Sequence, residues 1–207
     1  MDRLRSPGGC PWDAEQTHAS LAPYLLEEAY EALDAIESGD ALAMREELGD
    51  LLLQVLFHAR LAEEAVGADR FDIDDVAADL VAKLIRRHPH VFADVSVTGA
   101  DEVNANWDEI KRAEKQRTSA LDGVPLNQPA LALAVKLLSR ARRAGLATPA
   151  PAGDGYGERL FALAAEAAAA GIDPELALRA TARRFADQVR SEELRAEEAR
   201  AERARGD

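Results

Sequence analysis

Residues 25–53 read LLEEAYEALDAIESGDALAMREELGDLLL, and this stretch decides the fold. Apolar residues recur at helical spacing on both sides of Ser38-Gly39-Asp40. Gly39 can end one helix in the left-handed conformation, and Asp40 can cap the helix that follows. A loop this short joins neighbouring antiparallel helices. We therefore predict a helical hairpin whose second helix covers about residues 41–65.

Further capping and breaking signals predict an all-α chain. The first helix is predicted to start at Asp13-Ala-Glu-Gln16, which has the form of a capping box. A third helix is predicted to follow Asp72 or Asp74 and to stop near Pro89. The remaining predictions are a loop over residues 91–99, a fourth helix over about 101–117, breaks at 121–125 and 148–157, and a solvated or fraying helix from Ser191.

The composition supports a globular helical protein and excludes several classes. Of the 207 residues, 47% are hydrophobic but only 5% aromatic, and regular alternating β-branched runs are missing. The formal charge of -13 argues against a nucleic-acid partner, which would need a basic surface. The longest strongly apolar stretch, residues 51–57, is far shorter than a membrane span. The single cysteine, Cys10, excludes an intramolecular disulfide, so we expect a reducing cytoplasm and no membrane.

The segment Leu51-Leu-Leu-Gln-Val-Leu-Phe57 is apolar almost all round a helix. Such a helix has to be covered on several sides. One small helical region offers too little cover, so we predict a homodimer or a higher homo-oligomer in which a second chain packs on this segment.

Four carboxylates lie on or beside the apolar faces of the predicted hairpin. Glu28 and Glu31 are three residues apart on its first helix, and Glu47 and Asp50 have the same spacing on the second. On antiparallel helices the two pairs can converge, and they would then repel one another unless a cation lies between them. All-oxygen ligation favours Mg2+, with Mn2+ as a substitute. The alternative is that these are ordinary exposed carboxylates paired with arginines.

Basic and aromatic residues further along the chain can complete a nucleotide site. Lys83 and Arg87 are one turn apart on the third helix, as are Trp107 and Lys111 on the fourth. The cations can neutralise a phosphate chain, and an indole can stack on any nucleobase. Taken singly, each cation has an alternative role as a surface charge, and Trp107 has one as a core residue.

Five motifs within the first 117 residues carry a family resemblance. They are Gly8-Gly-Cys-Pro-Trp-Asp-x-Glu-Gln-Thr17, Leu26-Glu-Glu-x-Tyr-Glu31, Glu46-Glu-Leu-Gly-Asp-Leu-Leu52, Arg86-Arg-His-Pro-His-Val-Phe92 and Trp107-x-x-x-Lys111. Together they resemble the MazG family of nucleoside triphosphate pyrophosphohydrolases. The resemblance implies a four-helix fold assembled as a dimer. It also implies a reaction that splits a nucleoside triphosphate into the monophosphate and pyrophosphate.

The resemblance further implies roles for individual residues. The Mg2+ ligands would be Glu28, Glu31, Glu47 and Asp50. The residues that hold the phosphates and the base would be Lys83, Arg87, Trp107 and Lys111. Glu27, together with Glu31, would orient the attacking water, or Glu27 would hold a further metal ion.

The chain is predicted to contain a catalytic region, residues 1–118, and a shortened second copy of it, residues 119–207. Blocks that start at Gly157 and Asp173 can be aligned with blocks that start at Gly49 and Asp72. The resemblance supports this division, since long family members carry two such domains, and residues 121–125 are similar to the segment between them. The second copy lacks a Glu-x-x-Glu helix and has Glu158 and Gln188 in place of the aspartate and the arginine. We expect it to bind no metal and to have a packing, interface or regulatory role.

Two other protein classes remain as alternatives. A dinuclear iron or manganese bundle needs two Glu-x-x-His motifs, and this chain has one, from Glu15 to His18. A catalytically inactive helical module, which senses nucleotide or binds a partner, would keep the same residues without turnover. Release of pyrophosphate distinguishes an enzyme from such a module.

Overall fold

The chain is mainly helical in the computed structural model, which describes residues 1–99, 102–103, 106–107, 110, 114 and 118–206. No strand occurs within these ranges, so the prediction of an all-α protein is confirmed. The helices of these ranges are α1 (Asp2–Arg5), α2 (Pro11–Glu15), α3 (His18–Ser38), α4 (Ala41–Ala62), α5 (Ile73–Arg87), α6 (Pro89–Phe92), α7 (Ala130–Arg143), α8 (Tyr156–Ala169) and α9 (Pro174–Gly206). A 3-10 turn, Gly67–Asp69, lies between α4 and α5.

The chain divides into two compact units, Met1–Ile110 and Lys111–Asp207. The first unit contains α1 to α6, and the second contains α7 to α9. Most of the predicted fourth helix falls outside the described residues. The predicted boundary between a catalytic region and a degenerate copy, at residues 118 and 119, remains a prediction because compactness does not report catalytic role.

Helix α3 begins one turn later than the sequence signals indicated. Thr17 is its N-cap: the Thr17 hydroxyl accepts a hydrogen bond from the Ser20 N–H at 3.1 Å, and the Ser20 hydroxyl accepts one from the Thr17 N–H at 2.9 Å. The prediction that this helix starts at a capping box of Asp13 and Gln16 is therefore wrong. Asp13 lies in the separate helix α2, and the carbonyl oxygens of Asp13 and Gln16 accept hydrogen bonds from the distant Arg5 side chain.

The predicted hairpin forms from α3 and α4, which pack against each other. Gly39 ends α3 with φ of 73°, a left-handed conformation that glycine adopts without strain. Asp40 caps α4 by accepting hydrogen bonds from the N–H groups of Leu42 and Ala43. The buried residues are Leu21, Ala32 and Ala35 on α3 and Gln54, Phe57, Ala59 and Ala62 on α4.

Arg5 fastens the N-terminal segment to the end of α4. Its guanidinium donates to both carboxylate oxygens of Glu64, at 2.9 and 2.8 Å, and to the carbonyl oxygens of Asp13 and Gln16. The Arg5 side chain is only 5% exposed, and its guanidinium carbon lies 5.6 Å from the centre of the Phe57 ring. These contacts tie α1 and α2 to the hairpin.

Helix α5 begins and ends at the predicted signals. The Asp72 side chain accepts hydrogen bonds from the N–H groups of Asp74 and Asp75, and the Asp75 carboxylate accepts one from the Asp72 N–H. The helix ends at Arg87, just before Pro89, and it contacts α4. The loop predicted to start at residue 91 starts later, because Pro89 opens the short helix α6.

The second unit consists of α7, α8 and α9, each of which contacts the other two. The buried residues of α7 and α8 are small, namely Ala134 and Ala164. Residues 148–155 of the break predicted over residues 148–157 lie between these two helices, and α8 begins at Tyr156. After Ser191, α9 continues as a helix whose residues 191–200 are all exposed. Among the described residues, no helix of either unit is long and apolar enough to cross a membrane.

Candidate metal and nucleotide site

Three of the four predicted ligands meet between α3 and α4. Glu28 on α3 and Glu47 and Asp50 on α4 each offer a carboxylate oxygen, and these oxygens lie within 4.8 Å of one another. All three residues are half-buried. The tight turn at Gly39 causes this meeting, because it folds the first turns of α4 back along α3. The three oxygens are close enough to share one cation.

The acidic residues of this cluster perturb one another. Burial raises the pKa of Glu28, and acidic neighbours raise it further, in the order Asp50, Glu31, Glu47 and Glu27. Burial also raises the pKa of Glu47, and the charges of Glu31, Asp50 and Glu46 add to that effect. A divalent cation relieves repulsion of this kind, and oxygen donors suit Mg2+ or Mn2+. The residues present therefore fit a hard divalent cation.

Glu31 and Glu27 are the more exposed acids of this part of α3. The Glu31 charge raises the pKa of both Glu28 on α3 and Glu47 on α4, so Glu31 lies beside the cluster. The Glu27 charge acts on Glu28. Their predicted roles, as the fourth ligand and as the residues that orient water, remain predictions.

The predicted phosphate-binding cations lie on α5. Lys83 is exposed and Arg87 is half-buried, one turn apart in the second half of the helix. Because α5 contacts α4, which carries Glu47 and Asp50, the cations and the carboxylates belong to the same unit. Binding of phosphate by Lys83 and Arg87 remains a prediction.

Trp107 is half-buried and packs against His88, which directly follows the last residue of α5. The two rings meet edge to face, with centroids 5.0 Å apart and planes at 80°. This contact places Trp107 near Arg87, the residue that directly precedes His88. Lys111, which is predicted to bind phosphate, lies outside the described residues.

Two polar groupings on α4 were not predicted. Gln54 is buried, and its Oε1 has no hydrogen-bond partner in the described part of the chain. His58 pairs with His18: their Nδ1 atoms are 2.7 Å apart, and their rings stack with centroids 5.0 Å apart. Burial and the neighbouring His18 lower the pKa of His58. Gln54 had a sequence signal as the lone polar residue of the apolar run 51–57, whereas the histidine pair had none.

The dinuclear iron alternative gains no support from this geometry. Within the described ranges, the group of three or more candidate ligands consists of carboxylates alone. His18, which completes the single Glu-x-x-His motif, pairs with His58 instead. A cluster of oxygen donors favours a hard cation such as Mg2+.

Known proteins resemble the same part of the chain. Residues 16–92 match the family model of the MazG nucleotide pyrophosphohydrolase domain. This range contains α3, α4 and α5, and thus the four carboxylates together with Lys83 and Arg87.

Three relatives extend the similarity to most of the chain. An uncharacterised 26.1 kDa protein of Streptomyces cacaoi is 54% identical over 93% of this chain and 79% of its own. A nucleoside triphosphate pyrophosphohydrolase of Mycolicibacterium smegmatis is 50% identical over 93% of this chain and 57% of its own. The nucleoside triphosphate pyrophosphohydrolase/pyrophosphatase MazG of Thermotoga maritima is 38% identical over 93% of this chain and 82% of its own. The chain thus spans little more than half of the mycobacterial relative but about four fifths of the other two.

Proposed function

The chain belongs to the MazG family of nucleotide pyrophosphohydrolases, and we propose that its predicted catalytic region, residues 1–118, hydrolyses a nucleoside triphosphate, ribo or deoxy, at the carboxylate cluster. The products would be the monophosphate and pyrophosphate. One observation carries the proposal: the oxygens of Glu28, Glu47 and Asp50 converge within 4.8 Å inside the segment that matches the family domain. Family membership supports the proposed reaction, and the carboxylate cluster supports its proposed location in the chain.

The proposed metal is Mg2+, with Mn2+ as a substitute, held by Glu28, Glu31, Glu47 and Asp50. A divalent cation there would polarise phosphoryl oxygens and lower the pKa of water. Glu27 and Glu31 would accept hydrogen bonds from the attacking water and orient it toward phosphorus. Water is then the nucleophile, and no side chain has to form a covalent bond to phosphorus.

The opposite side of the substrate would be held by cations. Lys83, Arg87 and Lys111 would neutralise the phosphates and stabilise the charge that develops on departing pyrophosphate. Trp107 would stack on the nucleobase, a contact that every base can make. Its contact with His88 at the end of α5 supports a position on the same side as Arg87.

Pyrophosphate release from a panel of triphosphates, measured with Mg2+, tests this proposal. Asp50→Asn and Glu47→Gln remove ligand charge without changing side-chain size, so both variants should lose turnover while they retain helical circular dichroism. Glu46→Gln is the matched control, because it removes the same charge from the neighbouring residue of α4.

Unchanged turnover in Asp50→Asn would refute the metal assignment. Nucleotide binding by the unaltered chain without pyrophosphate release would instead indicate the catalytically inactive sensing module. Release of orthophosphate in place of pyrophosphate would show that a different phosphoanhydride bond is cleaved.

A homodimer or a higher homo-oligomer is the proposed assembly. On α4, the apolar side chains of Leu48, Leu52 and Val55 are exposed at helical spacing. No residue of α5 is buried, and several of its large apolar side chains are also exposed: Leu80, Val81, Leu84 and Ile85. A second chain would cover this surface. Light scattering that gives the mass of a single 22.3 kDa chain at micromolar concentration would contradict the proposal.

Residues 119–207 are proposed to have a packing, interface or regulatory role rather than a catalytic one. A truncation after Thr118 that keeps full activity would limit this role to stability. A cytoplasmic location is likewise a proposal, tested by fractionation of cells that produce the full chain.

A further inference from the structure

Gln54 is an unusual residue in the core of the first unit. It lies within the apolar run of α4, only 5% of the residue is exposed, and its Oε1 has no hydrogen-bond partner among the described residues. A buried acceptor without a donor lowers stability, and most such groups in native proteins are bonded to protein or water. A methionine would fill the same volume without that cost. The glutamine therefore calls for an explanation.

The position of Gln54 relates it to the carboxylate cluster. It follows Asp50 by four residues, so the two side chains lie on one face of α4 with Cβ atoms about 5–6 Å apart. Long side chains on a helix lean back toward its N-terminus and over the preceding turn. This preference would direct the Gln54 side chain toward Asp50 and away from the C-terminal end of α4.

A second buried atom lies one turn further along the same face. The Nε2 of His58 is also buried without a partner in the described residues, while its Nδ1 is engaged by His18 at 2.7 Å. The same preference would direct the His58 side chain toward Gln54. Buried polar atoms without a protein partner are commonly bonded to ordered water in native proteins.

We propose that Gln54 is a positioning residue of the metal centre, whose Oε1 accepts a hydrogen bond from a water molecule held at the carboxylate cluster. Water is the ligand that suits this place, because a nucleotide is too large to reach a residue that is only 5% exposed. The proposal rests on the proposed function, since it requires a cation at Glu28, Glu47 and Asp50. Polar partners outside the ligand set typically change metal affinity about 10- to 100-fold.

Gln54→Met and Gln54→Glu test the proposal in the full chain without nucleotide. Methionine keeps the volume and removes the acceptor, whereas glutamate keeps an acceptor oxygen. Mn2+ affinity is measured by electron paramagnetic resonance, and metal-free stability by urea unfolding. We expect Gln54→Met to bind Mn2+ at least about tenfold more weakly while the metal-free chain unfolds at a higher urea concentration. Gln54→Glu should retain most of the affinity, and the control Leu53→Met should change Mn2+ affinity by less than about twofold.

Unchanged Mn2+ affinity in Gln54→Met, or an equal loss of affinity in Gln54→Glu, would overturn the proposal. Lower stability of metal-free Gln54→Met would also overturn it, because Gln54 would then be bonded within the fold. Asp50→Asn separates this failure from failure of the metal site. If Asp50→Asn binds Mn2+ as tightly as the unaltered chain, the proposed function has failed first.

Discussion

The helix pairs α3–α4 and α7–α8 each consist of two packed helices but differ in their acidic residues. The first pair places three half-buried carboxylates within 4.8 Å of one another. In the second, α7 reads ALALAVKLLSRARR and carries no acidic residue, and the buried residues of the pair are alanines. Glu158, aligned with Asp50, lies over the loop before α8, where its carboxylate is close to Gly155. Helix packing alone therefore does not require the converging acids of the first pair.

The sharpest test of this comparison replaces the two aligned acids. Asp50→Asn should weaken Mn2+ binding by more than about 100-fold, since it removes a direct ligand from a cluster whose other members still repel one another. Glu158→Gln should leave Mn2+ binding unchanged. Titration of both variants by electron paramagnetic resonance gives the affinities. Equal effects of the two substitutions would mean that the two helix pairs do not differ in metal binding.

The next largest expected difference is in the free energy of unfolding, between substitutions of one arginine in each unit. Arg5→Met should lower the free energy of unfolding by about 2–3 kcal/mol, because a side chain that is 5% exposed loses charged hydrogen bonds to Glu64 and to two carbonyls. Arg190 forms an ion pair with Asp187, and the two side chains are 72% and 70% exposed. Arg190→Met should therefore change the free energy of unfolding by less than about 0.5 kcal/mol. Urea unfolding of the full chain measures both values. Similar losses of unfolding free energy in the two variants would contradict the stabilising role of the Arg5 contacts.

Helix caps provide a smaller effect in both units. Asp40 accepts two hydrogen bonds at the start of α4, and Asp173 accepts one from the Leu176 N–H at the start of α9. Each change to alanine should cost about 1 kcal/mol, with the larger loss at Asp40. Urea unfolding again measures the change. A larger loss at Asp173 would indicate that the cap of the second unit contributes more to stability.

The smallest expected effect is a dependence of stability on pH. The pKa values of Glu28 and Glu47 are raised in the fold, so the metal-free chain binds more protons folded than unfolded above the usual value of about 4.5. Their contribution to stability is present at low pH and is lost as the pH rises through the folded values. Saturating Mg2+ should reverse this slope, because bound carboxylates are ionised.

Urea midpoints between pH 5 and pH 8, with and without Mg2+, measure that difference. His58 contributes in the opposite direction, since its lowered pKa makes stability fall as the pH drops below about 6.5. This contribution is the same with and without Mg2+, so it cancels in the comparison. Identical pH profiles in both conditions would contradict a cation at the carboxylate cluster.

Local signals in the sequence predicted those parts of the fold that depend on neighbouring residues. Gly39, Asp40 and Asp72 cap their helices as expected, because each acts on backbone groups within four residues. The start of α3 was predicted wrongly because Arg5 binds the carbonyls of Asp13 and Gln16. A local sequence pattern cannot predict this arrangement, because Arg5 is also held by Glu64, which is distant in the sequence.

The candidate site shows the same division between local and distant information. Spacing of three residues and a short turn were enough to predict that Glu28 would approach Glu47 and Asp50. The burial of Gln54 and the pairing of His18 with His58 depend on how α3 and α4 pack, which the sequence does not state. The predicted contributions of Lys83 and Trp107 depend on distances between helices in the same way.

The two-residue turn at Gly39 and Asp40 also has a consequence for folding kinetics. Glu28 and Asp50 are only 22 positions apart in the chain, so closing the loop between them costs little entropy. Contacts that are close in sequence form early and fast. The hairpin can thus bring its carboxylate cluster together before the rest of the chain has folded, and a metal ion bound there would then stabilise the earliest folding unit.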